Sequence, residues 1–395
     1  MTKRPPEPSD STRAVHAGER EHQVTDAVTT PIYQTSTFWF KNSEELRAYQ
    51  EGRLTRDEYG RYGNPTWRAV ERKLAALEGA EDAALFASGM CAATTTFLAL
   101  LPRGGHLIVT SDCYRRTRQF CREYLSKLDV ETTVIEPANP AKLADAIRSE
   151  TALFFTECPT NPYLRVIDVA EAVNVCRARG VKVVIDSTFA TPVNFRPLAA
   201  GADLVIHSAT KYLGGHNDLL AGAVLGKREV VEPVRKALGV LGGVSDAHSA
   251  YLLLRGLKTL ALRMSRHNEN GLRIARWLET HAKVRRVFYP GLPSHPDHAV
   301  AQRSLHGFGG VVTFELNADF AGSCRFVDAC RIPYLAPSLG GVESLIEMPA
   351  LMSYWDLSAE ERRALGISDS LVRLSLGIED GDDLIADLEQ AFAAI

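Results

Sequence analysis

Val181-Lys182-Val183-Val184-Ile185-Asp186 and, after a turn-rich interval, Leu204-Val205-Ile206-His207-Ser208-Ala209-Thr210-Lys211 are the stretches that decide how this chain folds. Each begins as a short block of β-branched and aliphatic residues with little polar alternation, the pattern of a strand covered on both faces. Each ends on residues with chemistry: an acid after the first block, two hydroxyls and an amine after the second. The same rhythm extends in both directions. Apolar runs at 83–86, 107–110, 132–135 and 152–155 precede these two, and one at 221–225 follows. Stretches of helical length lie between them, among them 90–100 and 168–179, the latter opening on Asp168 in a cap position and closing at Gly180. Such alternation predicts a mostly parallel sheet with helices on both faces.

Outside that core the signals change. Residues 1–13 are polar and proline-rich (Pro5, Pro6, Pro8), without the apolar stretch of a secretory signal. Residues 14–56 are of mixed character, with Phe38, Trp39 and Phe40 clustered, and are expected to form an arm that needs another surface to lie on. Residues 247–278 predict a long helical region that links the sheet to a smaller α/β unit, with strands at 310–315 and 371–375 and a closing helix at 382–394.

Composition narrows the function. A chain of 395 residues has a prior of about two domains. Its 45 Lys and Arg against 48 Asp and Glu are scattered, so there is no field for nucleic acid and no nucleic-acid partner is expected. No run approaches the ~18 apolar residues of a membrane span, so no membrane partner is expected. Seven dispersed cysteines without a C-x-x-C pair favour reduced thiols and a cytoplasmic protein over a disulfide frame or a zinc site.

Ligands of open α/β sheets sit at the carboxyl ends of the strands. Three such ends stand out. Ser88-Gly89-Met90 follows a strand and opens a helix, offering free amides and a positive dipole end to an anion. Asp186 is an acid at a strand end. Ser208, Thr210 and Lys211 follow a third. Taken singly, each is ordinary turn, cap or surface chemistry. Together they match pyridoxal phosphate, which needs a phosphate cradle, a carboxylate for its ring nitrogen and a lysine amine for its aldehyde; residue types alone leave both readings open. Other motifs fail. The segment 222–228 is one residue short of a P-loop and carries Arg228 where Ser or Thr should bind magnesium. His295-Pro296-Asp297-His298 reads as a surface turn, not a metal site. Ser338-Leu339-Gly340-Gly341 lacks a nucleophile's frame.

Longer motifs carry a resemblance. Tyr59-Gly60-Arg61-Tyr62-Gly63-Asn64-Pro65-Thr66, Ser88-Gly89-Met90, Pro159-Thr160-Asn161-Pro162, His207-Ser208-Ala209-Thr210-Lys211-Tyr212, the 338–345 run and Arg373-Leu374-Ser375-Leu376-Gly377 resemble the cysteine and methionine metabolism family of pyridoxal-phosphate enzymes. Residues 332–338 and 352–357 look most like its plant-type cystathionine γ-synthase branch. The resemblance implies the fold-type I pyridoxal-phosphate transferase fold: an arm at 1–58 reaching a neighbouring subunit, a large cofactor-binding domain at 59–255 and a C-terminal α/β domain at 256–395. It implies that Lys211 holds the cofactor and moves protons, that Asp186 pairs with the ring nitrogen and that Tyr114 stacks on the ring. Gly89, Met90, Ser208 and Thr210 would hold the phosphate, joined by Tyr59 and Arg61 from the neighbouring subunit. Arg373, with Ser338 and Asn161, would hold the substrate carboxylate. Lys41 and Arg116 are basic residues that could meet a leaving group at the entrance. The implied partners are small amino-acid substrates and further copies of the chain, an active dimer paired into a tetramer. The implied reaction replaces the γ-substituent of an L-homoserine ester with cysteine, with γ-elimination or sulfhydrylation as alternatives.

Overall fold

The computed structural model describes residues 8–19, 26–137 and 139–395; the first seven residues of the polar tail lie outside the described residues. Seven strands form the larger sheet: β1 (Asp82–Phe86), β2 (His106–Thr110), β3 (Glu131–Ile135), β4 (Thr151–Glu157), β5 (Lys182–Asp186), β6 (Leu204–His207) and β7 (Gly222–Gly226). Their order is β1-β7-β6-β5-β4-β2-β3. Only β7 is reversed, antiparallel to β1 and β6, while the pairs from β6 to β3 are parallel. The sheet is thus mostly parallel, as the alternation predicts. The strand β7 takes in residues 222–226 of the segment compared with a phosphate loop, and Arg228 opens the next helix.

Burial explains the missing polar alternation. Every residue of β2, β6 and β7 is buried, because both faces carry helices. On one face Phe155, Val184 and Ile206 pack with apolar residues of helices Gly89–Leu100 and Arg228–Leu241. On the other, Phe154, Val183 and Ile185 pack against helix Val169–Arg177. That last helix begins as expected: the Asp168 side chain accepts the Glu171 amide at 3.0 Å.

The 247–278 region is two helices, Ala247–Leu257 and Leu260–Thr280. The break has a local cause. The Gly256 carbonyl accepts from Arg263 Nη2 (2.8 Å), a buried guanidinium that also donates to Tyr212 O (2.6 Å), and the Thr259 amide falls back to a tighter bond on Gly256. Beyond the helices lies a second sheet of β8 (Val284–Phe288), β9 (Val311–Leu316), β10 (Tyr334–Leu335), β11 (Leu345–Glu347) and β12 (Leu371–Ser375), in the order β10-β11-β12-β9-β8. All its pairs are antiparallel except β10 with β11. The closing helix is Gly381–Phe392.

The arm divides in two. Helix Asp10–His16 lies on its own chain: buried Lys73 donates to Ala14 O (2.8 Å) and Val15 O (3.0 Å) and pairs with Glu19 at 3.0 Å. Farther on, Tyr33 is tied by its backbone to Thr66 and Asn64, yet Val28, Trp39, Tyr59 and Tyr62 are exposed. One expectation is corrected. The His295-Pro296-Asp297-His298 turn faces inward: His295 and Asp297 are buried, and Asp297 accepts from Arg165 Nε (2.6 Å) and the Val166 amide (3.0 Å). A buried carboxylate needs partners, and the guanidinium supplies them. Among the described residues no group of three or more His, Cys, Asp or Glu could hold a metal, and no helix is long and apolar enough to cross a membrane. All seven cysteines are free.

Candidate active site

The anion pocket is built from backbone. The Ser88 side chain accepts the Cys91 amide at 3.1 Å, which leaves the Gly89 and Met90 amides at the helix start without intrahelical partners. Ser208, just beyond β6, packs directly against this turn. A Cβ on Gly89 would lie 2.7 Å from Ser208 Cβ, and one on Gly222 would lie 2.1 Å from Ser88 O, so both positions require glycine for the strand end and the helix start to meet. The Ser208 amide donates to Thr188 Oγ1 at 2.8 Å. Thr210 differs from its neighbour: its hydroxyl accepts the Ala221 amide (3.0 Å) and donates to Ala221 O (3.2 Å).

Asp186 ends β5, and its Oδ1 accepts the Thr188 amide at 2.9 Å. Burial raises its carboxyl above the usual range, against the pull of that hydrogen bond. A buried acid in this position gains from a cation that meets it. Beside it on β4 stands Glu157, which accepts the Tyr114 amide at 2.5 Å. Tyr114 immediately precedes helix Arg115–Glu123 and is 44% exposed.

The third strand end meets the smaller sheet. Lys211 Nζ donates to Ser338 Oγ at 2.5 Å, and Arg373 Nη2 donates to Ser338 O at 2.7 Å. Burial, with the Arg373 guanidinium adding to it, lowers the Lys211 amine to about 8, against the opposing pull of Glu347. Arg373 sits on β12, pairs with buried Glu347 of β11 at 3.0 Å, and reaches Asn161 Oδ1 at 3.3 Å. Ser338 holds a left-handed backbone, φ +91°, unusual for a residue with a side chain and costing about 1–3 kcal/mol. The bonds from Lys211 and Arg373 secure it. Tyr114, Asn161 and Glu347 also line one narrow cleft with Ser353 and Tyr354.

Two expected residues stand apart. Arg61 lies 5.5 Å from the Tyr59 ring centre and 5.0 Å from that of Tyr62, and donates to the Tyr62 hydroxyl at 3.0 Å. Neither Tyr59 nor Arg61 contacts Lys211 or Ser208 of its own chain in any hydrogen bond. Arg116 is bound to Gln119 at 2.7 Å on the exposed side of its helix.

A model of the Cys/Met metabolism PLP-dependent enzymes matches residues 11–393. The chain belongs to this family. It is 53% identical over 390 residues to cystathionine gamma-synthase 1, chloroplastic, of Arabidopsis thaliana, covering 98% of this chain and 69% of that one. It is 42% identical over 383 residues to a cystathionine beta-lyase of Coxiella burnetii, 96% and 97% of the two chains. The fold matches the crystal structure of metB from Corynebacterium glutamicum with a TM-score of 0.91 at 38% identity, over 98% of both chains.

The residues fit the cofactor of a Cys/Met metabolism enzyme. The two unpaired amides and the Ser208 hydroxyl, brought together by glycines that leave no room for a Cβ, form a cradle for a phosphate. Asp186 offers a carboxylate to a ring nitrogen, and the lowered Lys211 amine suits an aldehyde. Reading the sequence missed Glu347 and Glu157. The first lies in a three-residue strand with no pattern of its own. The second is a strand-end residue that follows the 152–155 run by two positions, and the strand-end rule would have found it had the run been extended.

Proposed function

We propose that the protein replaces the γ-substituent of an activated L-homoserine ester with L-cysteine, giving L-cystathionine. The observation that carries the reading is the convergence of the Lys211 amine and the Arg373 guanidinium on Ser338. A group that exchanges with the substrate's amine and a fork that binds its carboxylate thereby face one bound amino acid. Pyridoxal phosphate, when bound, supplies the electron sink that makes the Cα and then the Cβ protons acidic.

The chain's own residues do the rest. Gly89, Met90, Ser208 and Thr210 hold the phosphate; Thr210 must turn its hydroxyl from Ala221 to join them. Asp186 keeps the ring nitrogen protonated, and the cation it meets offsets the cost of its burial. Tyr114 covers the ring. Lys211, with its amine near 8, is neutral in a useful fraction at neutral pH and carries protons between Cα and Cβ. Arg373, with Asn161 and Ser338, fixes the carboxylate so that those protons point at Lys211. The ester oxygen leaves Cγ with its bonding electrons, and the cysteine thiolate supplies the pair for the new C–S bond. Tyr59 and Arg61, exposed and stacked on each other, complete the phosphate site of a neighbouring copy in an active dimer that pairs into a tetramer. The domain division at 58 and 255 separates that arm, the cofactor sheet and the smaller sheet. The cytoplasm, with reduced thiols, is the proposed compartment.

The reaction is tested by giving the enzyme O-phospho-, O-succinyl- or O-acetylhomoserine with and without cysteine. Cystathionine should form with cysteine, and 2-oxobutanoate with ammonia without it. Equal 2-oxobutanoate in both cases, with no cystathionine, would replace this reading by the γ-lyase one.

A further inference from the structure

Glu157 has no part in the chemistry above, yet it stands beside Asp186 and holds the Tyr114 amide. In the parallel β4–β5 pair it stands in register with Asp186. Two residues earlier in each strand, Phe155 and Val184 pack in the same layer of the core, and since side chains alternate along a strand, Glu157 and Asp186 point to the same face. Neighbouring strands lie about 4.8 Å apart, so the two carboxyls are close companions. Glu157 is 6% exposed, and its Oε1 accepts the Tyr114 amide at 2.5 Å.

That hydrogen bond sits at an influential point. Tyr114 is the residue from which helix Arg115–Glu123 starts, and its own side chain caps nothing. Tyr114 as a residue is 44% exposed, so its backbone has a large share in where the ring stands. We propose that Glu157 is a positioning residue, holding the Tyr114 amide so that the Tyr114 ring is fixed over the site where Asp186 meets the cofactor ring. The inference rests on the reading of Asp186 and Tyr114 given above. Burial first, and then the charges of Asp186 and Asp112, push the Glu157 carboxyl well up, against the Tyr114 amide and the Arg118 guanidinium. Glutamine keeps a side-chain oxygen that can accept the Tyr114 amide; leucine fills the space and accepts nothing.

The test compares Glu157→Gln and Glu157→Leu by the dissociation constant of pyridoxal phosphate and by circular dichroism in its visible band, which reports how rigidly the ring is held. The leucine variant should bind the cofactor about tenfold more weakly, the effect of one lost buried hydrogen bond, and lose most of the visible dichroism. The glutamine variant should stay within about twofold of the parent in both. In a Tyr114→Ala background the same leucine change should have almost no further effect, because the ring it positions is gone. Unchanged affinity and dichroism in Glu157→Leu, an equal loss in Glu157→Gln, or a full effect in the Tyr114→Ala background would each overturn the proposal. Should Glu157→Leu fail to fold, an impaired Glu157→Gln still overturns it, and a parent-like Glu157→Gln with a dichroism loss in Glu157→Ala supports it. A parent protein that does not bind pyridoxal phosphate would instead sink the reading of the site itself.

Discussion

The strand-end floor of the large sheet and the Tyr59–Arg61 loop are proposed to hold the same phosphate, and they are built in opposite ways. Gly89, Ser208 and Lys211 stand where buried strands and a helix start leave them almost no freedom; a single added Cβ at Gly89 would collide with Ser208. Tyr59 and Arg61 lie on an exposed loop whose backbone is secured, through the Gly60 amide to Ser36 O, while their side chains pack against each other and Tyr62. The first is fixed by the chain's own packing. The second is an exposed surface, which the proposed dimer would set against a neighbouring copy.

The largest effect that can break this contrast comes from mixing subunits. Lys211→Ala should lower turnover by more than about 10³-fold and abolish the visible absorption of the bound cofactor. Arg61→Ala should weaken activity as well, and refolding the two variants together should recover activity, because a hybrid dimer holds one site with both residues intact. No recovery, or an active monomer in sedimentation, would place Arg61 in its own chain's site and end the contrast. A middle-sized effect tests the boundary between the two sheets. Arg373→Lys keeps a cation for Glu347 but loses the planar fork, and kcat/KM for the homoserine ester should fall about 10²-fold, mostly through KM. The smallest sharpens the floor's electrostatics. Only the neutral Lys211 amine attacks an aldehyde, so capture of pyridoxal phosphate by the cofactor-free protein should accelerate with pH around a midpoint near 8 instead of the ordinary 10.5. Glu347 pulls that midpoint up, so Glu347→Gln should move it below 8; a midpoint that stays put or rises would mean that Glu347 does not act on the amine.

The same contrast governs how much the sequence discloses. The strands at the sheet centre are legible because burial on both faces forces unbroken apolar runs, and Asp186 and Lys211 are conspicuous at their ends. The strand β8 is not, since its Val-Arg-Arg-Val-Phe pattern has two exposed arginines at its centre. Lys258 and Thr259 suit a helix well enough that the break there is invisible without Arg263, whose bonds to Gly256 and Tyr212 are tertiary. The inward turn at 295–298 hid for a related reason: prolines and histidines suggest solvent, and only Arg165, far away in the chain, explains why Asp297 is buried. Arg373 and Glu347 come together through the register of β11 and β12, which no local pattern encodes. The role proposed for Tyr59 and Arg61 rests on family resemblance alone, because exposed side chains leave no periodic trace.

Lys73 bears on how the protein could be shortened or permuted. Its ammonium is sealed from solvent, and three of the groups that satisfy it (Ala14 O, Val15 O and Glu19) come from the stretch before residue 20. Trimming that stretch would remove these partners together, at a cost of up to about 3–5 kcal/mol, a large part of the about 5–15 kcal/mol that holds a typical domain. A new terminus belongs instead at the exposed turn around Gly52, where no atom lies within 4 Å of the space a side chain would enter.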